Sequence, residues 1–255
     1  MAGLRLAALV ACAFLLAAPG AAADGMVGSV TVEGDLALVG GERLRLVGLR
    51  YAMDGVERDG RTPTPAAFEA IARQALGRSV HARSGQYRRD RYGRLQGEAI
   101  IGELAEHGGS LQRSLVAAGL AVVDPGPDPP PSVATWLAAE AEARAARRGI
   151  WSAPSSMPVA ADDAARRIGR FALVEGRVMA VGRSAEQTFL NFGPDRRTDF
   201  TAGIESADRR VFRASGIDIK RLEGRRVRLR GVLRRWNGPF MDLEHPAQLE
   251  LLDAQ

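Results

Sequence analysis

The chain has 255 residues, of which 46% are apolar and 25% charged, with 29 Gly and 13 Pro. This composition is that of a globular protein and excludes collagen-like, coiled-coil and wholly disordered chains. Basic residues exceed acidic ones by 35 to 30, a net charge of +5, and Lys220 is the only lysine. We attribute the lopsided arginine usage to genome base composition rather than to selection for phosphate binding.

The first 23 residues are typical of a secretory signal peptide. Arg5 is their only charge, residues 6–18 are apolar, and three alanines ending at Ala23 offer a cleavage site. Cleavage there removes Cys12, the only cysteine, so the mature chain is expected to lack disulfides and reactive thiols. A lipoprotein processing site at Cys12 is a weaker alternative, because the apolar stretch continues beyond it. The sequence predicts a periplasmic or secreted protein with no membrane anchor in the mature chain.

The first half of the chain mixes strands and helices. Short alternating runs with Gly turns predict a three-stranded meander over residues 29–49, and two more strands are expected around a polar turn at 88–93. The proline-rich run 125–131 cannot form regular helix or inner strand, and we interpret it as a loop inside the first domain. Apolar spacing predicts a helix over 65–76 between Pro65 and Gly77, a second helix is expected over 110–118 before Gly119, and an Ala- and Glu-rich composition predicts a third over 133–148.

The second half returns to short strands and carries the basic excess. Residues 24–153 hold 16 basic and 16 acidic residues, whereas residues 154–255 hold 18 and 14, a net charge of +4. Five short strands in about 85 residues predict a small barrel. These strands are expected over 171–181, 188–192, 200–204, 225–233 and 248–252.

Four stretches of the first half carry a resemblance to a known family. They are Val32-Glu33-Gly34-Asp35, Leu44-Arg45-Leu46-Val47-Gly48-Leu49, Asp90-Arg91-Tyr92-Gly93-Arg94, and a last pattern of Glu140, Ala143, Arg144, Arg147 and Gly149-Ile150-Trp151. In the order and spacing of these stretches, residues 28–152 resemble the staphylococcal-nuclease-like, or thermonuclease, domain. The resemblance implies a β-rich α+β fold, an OB-type five-stranded barrel with three helices.

The resemblance implies site residues, but only part of the family's set is present. Active members hold Ca²⁺ with two carboxylates, use a Glu as general base and stabilise the phosphorane with two arginines. Asp35 falls on the first carboxylate, and Arg45 and Arg94 fall on the two arginines. Arg50 stands where the second carboxylate is expected, and Met53 where the general base is expected. Losing a general base alone costs about 10² to 10⁴ in rate, and Ca²⁺ requires several oxygen ligands.

We therefore expect Ca²⁺-dependent hydrolysis to be absent or very slow, with no cofactor retained. Two roles for Arg50 stay open at this point. It joins Arg45 and Arg94 in a metal-free phosphate cradle, or it pairs with Asp35 as a neutralised remnant of the site. A third possibility is that a carboxylate of the following loop rescues activity, the candidates being Asp54, Glu57 and Asp59.

A second domain is expected at 170–253, beyond a linker at 153–169. Four stretches stand out in it: Thr188-Phe189-Leu190-Asn191-Phe192-Gly193, Asp199-Phe200-Thr201, Leu222-Glu223-Gly224 continuing to Gly231, and Gly238-Pro239. On these, residues 175–251 resemble the OB-type nucleic-acid-binding domains that follow some secreted thermonuclease-like domains. Alternation on one strand predicts a basic stripe suited to single-stranded nucleic acid, with aromatic rings for stacking. The candidates are Arg226, Arg228, Arg230, Arg234, Arg235 and Trp236, with Phe192 and Phe200 as further stacking residues or, alternatively, core.

Three functions follow from these observations. The leading hypothesis is a secreted thermonuclease-like protein with a degenerate active site that binds nucleic acid or another polyanion without efficient hydrolysis. The alternatives are an active phosphodiesterase with an altered metal site and an envelope protein-interaction module. No metal site or small-molecule cofactor is expected, because the three histidines lie far apart in the sequence, at His81, His107 and His245.

Overall fold

The computed structural model describes residues 23–53, 59–83, 89–102 and 109–253. The first half is built on a closed five-stranded barrel of order β1-β2-β3-β6-β5, in which β3 and β6 run parallel and the other pairs antiparallel. A separate short pair, β4 with β7, lies outside the barrel path. The strands are β1 (Ala23–Val30), β2 (Leu36–Leu38), β3 (Arg43–Leu46), β4 (Leu49–Arg50), β5 (Ser79–Arg83), β6 (Leu95–Ile101) and β7 (Val122–Val123).

Helices pack on this barrel close to the predicted positions. They are α1 (Pro65–Ala75), α2 (Leu111–Ala117) and α3 (Val133–Ala145). The Thr64 side chain accepts the N–H of Ala67 at 3.3 Å, which caps the start of α1 locally. Gly77 follows the helix at φ +70 and donates its N–H to the Val27 carbonyl of β1 at 2.9 Å, so the barrel helps to end the helix. None of the described helices is long and apolar enough to cross a membrane.

The second half forms a sheet of order β10-β11-β12-β14-β13-β9-β8. Only Val178 and Met179 separate β9 from β10, so these two segments act as one long strand that joins both ends of the sheet. If that strand is counted as the first, the strands of both barrels are arranged in the order 1-2-3-5-4 along the chain, and the third and fifth strands, here β12 and β14, are parallel. The expected second OB-like barrel is confirmed. Its elements are β8 (Val159–Ala160), β9 (Phe171–Arg177), β10 (Ala180–Arg183), β11 (Gln187–Asn191), β12 (Thr201–Glu205), α4 (Arg209–Ala214), β13 (Arg226–Trp236), β14 (Gly238–Asp242) and β15 (Leu249–Leu251).

Two features of this half differ from the prediction. The strand β14 was not expected, because Gly238 and Pro239 are typical of a turn. The segment 153–169, expected to be a linker, instead contributes β8, which pairs in parallel with β9, and the 3₁₀ turn Ala161–Arg167. The chain between the two barrels is therefore largely packed rather than free.

A buried network of charges joins the two barrels. Arg230 of β13 is 1% exposed and donates to the Val123 carbonyl at 3.1 Å, to Glu140 of α3 at 3.0 Å and to Glu250 of β15. Glu140 also accepts the backbone N–H of Val123 at 2.7 Å and a bond from Arg144 at 3.0 Å. A guanidinium from the second barrel thus completes the hydrogen bonding of a buried carboxylate in the first.

An apolar cluster lies next to this network. Residues from both halves meet in it, among them Met53 after β4, Trp151, and Phe171 and Leu173 of β9. Trp151 and Leu173 are 0% exposed and Phe171 is 1% exposed. Apolar burial and a buried ion network at one interface favour a fixed arrangement of the two barrels over free rotation.

We expect acid to weaken this interface through Glu250. Burial raises the pKa of this carboxyl, but Arg230 and Arg228 outweigh burial and hold it below its ordinary value. A depressed pKa in the folded state contributes stability above the unfolded pKa of about 4.3, and this contribution is lost as pH falls through the folded value. Urea unfolding from pH 7 to pH 3 should therefore show a shallower decline in Glu250→Gln than in the wild type. The same change at the exposed Glu186 serves as the control, and equal slopes in all three proteins would contradict the prediction.

Candidate functional site

Three residues singled out from the sequence meet at one edge of the first barrel. Asp35 precedes β2, Arg94 precedes β6, and Arg45 lies in β3, which pairs with both strands. The Asp35 side chain is 2% exposed; one oxygen accepts from Arg94 at 3.0 Å, and the other lies 3.6 Å from Arg45. Gly34 makes this approach possible, because its φ is +80 and a Cβ there would lie 2.5 Å from Pro63. The barrel register thus brings one carboxylate beneath two guanidiniums.

Arg94 is held on a second side by Asp90. The Asp90 carboxylate accepts from Arg94 Nε at 2.7 Å and from the backbone N–H groups of Tyr92 and Arg94. Burial alone lowers the pKa of Arg94, but its bonds to Asp90 and Asp35 outweigh burial and raise the value. Arg94 is therefore a fixed cation in a defined orientation.

Arg45 and Arg94 face an open cleft of about 440 Å³. Its walls also include the backbone of residues 46–49 and the proline-rich loop 125–127. Three Arg and three Asp side chains line it, so the cleft is balanced in charge rather than strongly positive: Arg45, Arg61, Arg94, Asp90, Asp124 and Asp128.

Arg50 takes neither of the roles considered from the sequence. It is 1% exposed, donates to Asp124 at 3.1 Å and lies over the ring of Phe171 at 4.8 Å. Asp35 is instead occupied by Arg45 and Arg94. The three-arginine cradle is therefore wrong, and so is the Arg50–Asp35 pair, because the second barrel provides an aromatic face and the β7 end a carboxylate that together hold Arg50.

Met53, like Arg50, is buried against the second barrel. It is 5% exposed and belongs to the apolar cluster formed with Phe171, Leu173 and Trp151. The positions of Arg50 and Met53 are thus covered by the second barrel. Asp54 and Glu57 lie outside the described residues, and Asp59 begins a 3₁₀ turn, Asp59–Arg61, so rescue by this loop stays a prediction.

The model of the family described as "Staphylococcal nuclease homologue" matches residues 44–153. That range contains Arg45, Arg50, Met53 and Arg94 and coincides with most of the first barrel and its helices. The chain therefore contains a staphylococcal-nuclease-like domain that includes residues 44–153, with β1 and β2 of the barrel lying before the matched range. No curated protein matches the chain.

Two residues near the nuclease-like site were missed by sequence reasoning. Tyr51 is 3% exposed, and burial raises the pKa of its hydroxyl, with Arg45 and Asp35 as the nearby charges. Asp124 lies in the cleft and neutralises Arg50 across a separation of 74 residues. Tyr51 could have been suspected from its place beside Arg50, whereas no local pattern indicates Asp124.

The predicted basic stripe of the second barrel is mostly neutralised. Arg230 is buried in the interface, which corrects the expectation that it contacts nucleic acid. The Arg228 side chain is 15% exposed and bonded to Glu175 at 2.8 Å and to Glu250 at 2.7 Å, so it is also committed to protein carboxylates. Arginines and apolar residues do alternate along β13, but α3 and neighbouring strands cover the arginine face at Arg228 and Arg230, which was predicted to face solvent.

The outer end of β13 is different. Arg226, Arg235 and Trp236 are exposed, and Arg234 is exposed but paired with Asp242 through two hydrogen bonds. Arg234 also lies over the rings of Phe240 and Trp236. Contact of these four residues with nucleic acid stays a prediction.

Phe192 and Phe200 do not serve as stacking surfaces. They are 6% and 2% exposed and pack against each other with ring centroids 4.8 Å apart. Both belong to the apolar core of the second barrel. The alternative interpretation, that they are core residues, is confirmed.

Proposed function

We propose that this protein is an exported member of the nuclease family that binds the phosphodiester backbone of nucleic acid without hydrolysing it efficiently. The observation that carries the proposal is the pair of guanidiniums, Arg45 and Arg94, presented at an open cleft while Arg50 and Met53 are committed to the second barrel. Arginine suits this role because its planar donors match phosphate oxygens. Export rests on the sequence of residues 1–23.

The side chains at the predicted metal and general-base positions support the absence of efficient hydrolysis. Both oxygens of Asp35 face guanidiniums, Arg50 is a fixed cation, and Met53 has no proton to exchange. Within the part of the chain that the structure describes, no three His, Cys, Asp or Glu side chains are grouped as a metal ion requires. The described residues around Asp35 therefore do not fit the calcium site of the family.

Of the two arginines above Asp35, Arg45 is the better placed to receive a phosphate. Its side chain is 26% exposed, and the nearest Asp35 oxygen lies at 3.6 Å, too long for a hydrogen bond. Arg94, in contrast, already donates to two carboxylates. Because the cleft is charge-balanced, we expect binding of moderate strength that weakens with added salt.

We expect Arg45→Ala to weaken binding of a labelled single-stranded oligonucleotide about 10- to 100-fold, since a hydrogen bond to a charged group contributes about 1.5–3 kcal/mol. Arg43→Ala is the matched control, because Arg43 is an exposed arginine two residues earlier on β3 and does not line the cleft. Fluorescence anisotropy at low salt measures both. Equal affinities for the two variants would refute a phosphate site at Arg45.

An altered phosphodiesterase is the second candidate, because Asp124 and Asp128 line the same cleft as Arg45. The discriminating assay incubates the purified protein with DNA and RNA, with and without Ca²⁺, and measures release of acid-soluble nucleotides. No release is expected. Ca²⁺-dependent release that Asp124→Asn abolishes would overturn the binding proposal and assign the chemistry to this carboxylate.

A further inference from the structure

Trp236 is exposed on a rigid part of the second barrel. It ends β13, and Asn237 turns the chain with φ +63 into β14. Its exposed fraction is 43%, whereas Trp136 and Trp151 are 0% exposed. Single exposed apolar side chains are common on protein surfaces, so any role of Trp236 depends on the groups arranged around it.

Two rings fix the orientation of this indole. Phe189 stacks on it with centroids 5.8 Å apart and planes at 24°, and Phe240 meets it edge-on at 4.7 Å and 87°. Phe240 is 0% exposed and part of the barrel core. The indole is therefore preorganised, and a ligand stacking on it need not order a mobile side chain.

A cavity of about 210 Å³ opens beside the indole. It is smaller than the cavities that hold drug-sized molecules, roughly 300–1,000 Å³, and so suits a single ring system. Thr201 lines it, is 8% exposed, and its hydroxyl has no hydrogen-bond partner among the described residues. A buried hydroxyl without a partner is costly, and a ligand with a complementary polar edge would satisfy it.

The rim of the cavity carries a positive charge. Arg196 lines the cavity and is exposed, and within the described parts of the chain it makes no ion pair. Arg197 beside it is also exposed. The paired residues Arg228 and Arg230 lie about 20 Å or more along β13 from Trp236, at roughly 3.3 Å per residue. The cationic rim is thus separate from the neutralised part of the same strand.

We propose that this cavity binds one base of a single-stranded nucleic acid, stacked on Trp236 and hydrogen-bonded by Thr201, with the adjoining phosphate at Arg196. A flat ring with a polar edge uses all three features, whereas an aliphatic side chain leaves the Thr201 hydroxyl unsatisfied and a bare phosphate leaves the indole unused. The inference rests on the proposed function, that the protein binds nucleic acid, and places a base-reading site on the barrel that does not carry the phosphate cleft.

The test compares a single-stranded oligonucleotide with an abasic strand of the same length and charge. Tryptophan fluorescence reports the cavity selectively, because the other two tryptophans are fully buried. We expect quenching by the normal strand alone and about tenfold or greater preference for it over the abasic strand. Trp236→Ala should abolish the preference and Trp236→Phe should retain part of it.

Thr201→Val supplies a second variant whose folding is not in question, since it removes a hydroxyl that has no partner among the described residues. We expect it to reduce the preference for the base-containing strand. Thr188→Val is the matched control, a similarly buried threonine on β11 that does not line this cavity. Loss of the preference in both valine variants, or in neither, would overturn the role of Thr201 in reading a base.

The outcomes separate this inference from the phosphate cleft. Equal binding of both strands without quenching, but sensitive to Arg45→Ala, overturns the base site and leaves the cleft. Quenching and base preference together with an overall affinity that Arg45→Ala leaves unchanged support the base site and refute the cleft. Absence of binding by either strand at low salt overturns both.

Discussion

Arg230→Ala is expected to lower the free energy of unfolding by about 3–5 kcal/mol, the usual cost of breaking a buried ion pair from one side. The substitution leaves Glu140, which is 0% exposed, and Glu250 without their guanidinium, and removes a donor from the Val123 carbonyl. The loss comes mainly from carboxylates left unpaired in a medium of low polarity. Because these groups belong to both barrels, their separation should also make unfolding less cooperative.

Guanidinium chloride unfolding, followed by circular dichroism, measures the change by linear extrapolation. Arg226→Ala is the control, because Arg226 is exposed on the same strand and should change stability by about 0.5 kcal/mol or less. Glu140→Gln provides a variant of nearly equal shape that should also be strongly destabilised. An Arg230→Ala protein of wild-type stability with weakened nucleic-acid binding would restore the interpretation of Arg230 as a surface contact.

Returning the two substituted positions to the residues typical of active nucleases, Arg50→Asp with Met53→Glu, is expected to destabilise the protein without creating a nuclease. Arg50→Asp removes the cation that neutralises Asp124 and lies over Phe171, and adds a carboxylate beside another. Met53→Glu buries an acid among Phe171, Leu173 and Trp151. The combined loss should reach about 3–5 kcal/mol or more, because each change leaves a buried charge unpaired.

The matched control for this variant is Arg61→Asp. Arg61 also approaches Asp124, at 3.5 Å, but its side chain is 57% exposed, so its replacement should cost about 1 kcal/mol or less. Unfolding measurements and the nucleotide-release assay with Ca²⁺ are made on the same preparations. A double variant that keeps wild-type stability and gains Ca²⁺-dependent cleavage would show that these positions still belong to a competent active site.

The two substitutions have a structural explanation in the docking of the second barrel. An arginine that stacks on Phe171 and pairs with Asp124, and a methionine that fills the gap beside Trp151, suit an interface between barrels better than two free carboxylates would. The face that carries Arg50 and Met53, where the resemblance predicts the second acid and the general base, is here a contact surface. Arg45 and Arg94, on the open side, remain directed at the cleft.

The fold was largely predictable, because it depends on local signals. The helix at Pro65–Ala75 follows from apolar spacing between Pro65 and Gly77, the helix at Val133–Ala145 follows from its Ala- and Glu-rich composition, and most strands follow from alternation and turn residues. The strand Gly238–Asp242 was missed because prediction relied on local signals: Gly238 and Pro239 are typical of a turn, whereas the strand forms through pairing with β12 and β13.

By itself the sequence determined the nuclease-like domain, its barrel, and the residues at Asp35, Arg45 and Arg94 that meet at one edge. Only the tertiary structure decided what the other arginines do. Arg50, Arg228 and Arg230 carry the same charge and local pattern as an exposed arginine, and their partners Asp124, Glu175 and Glu140 lie 53 to 90 residues away. A guanidinium stays in solvent unless carboxylates or other acceptors compensate the cost of burying its charge. Whether an arginine is exposed or buried therefore depends on long-range packing, which no local sequence pattern encodes.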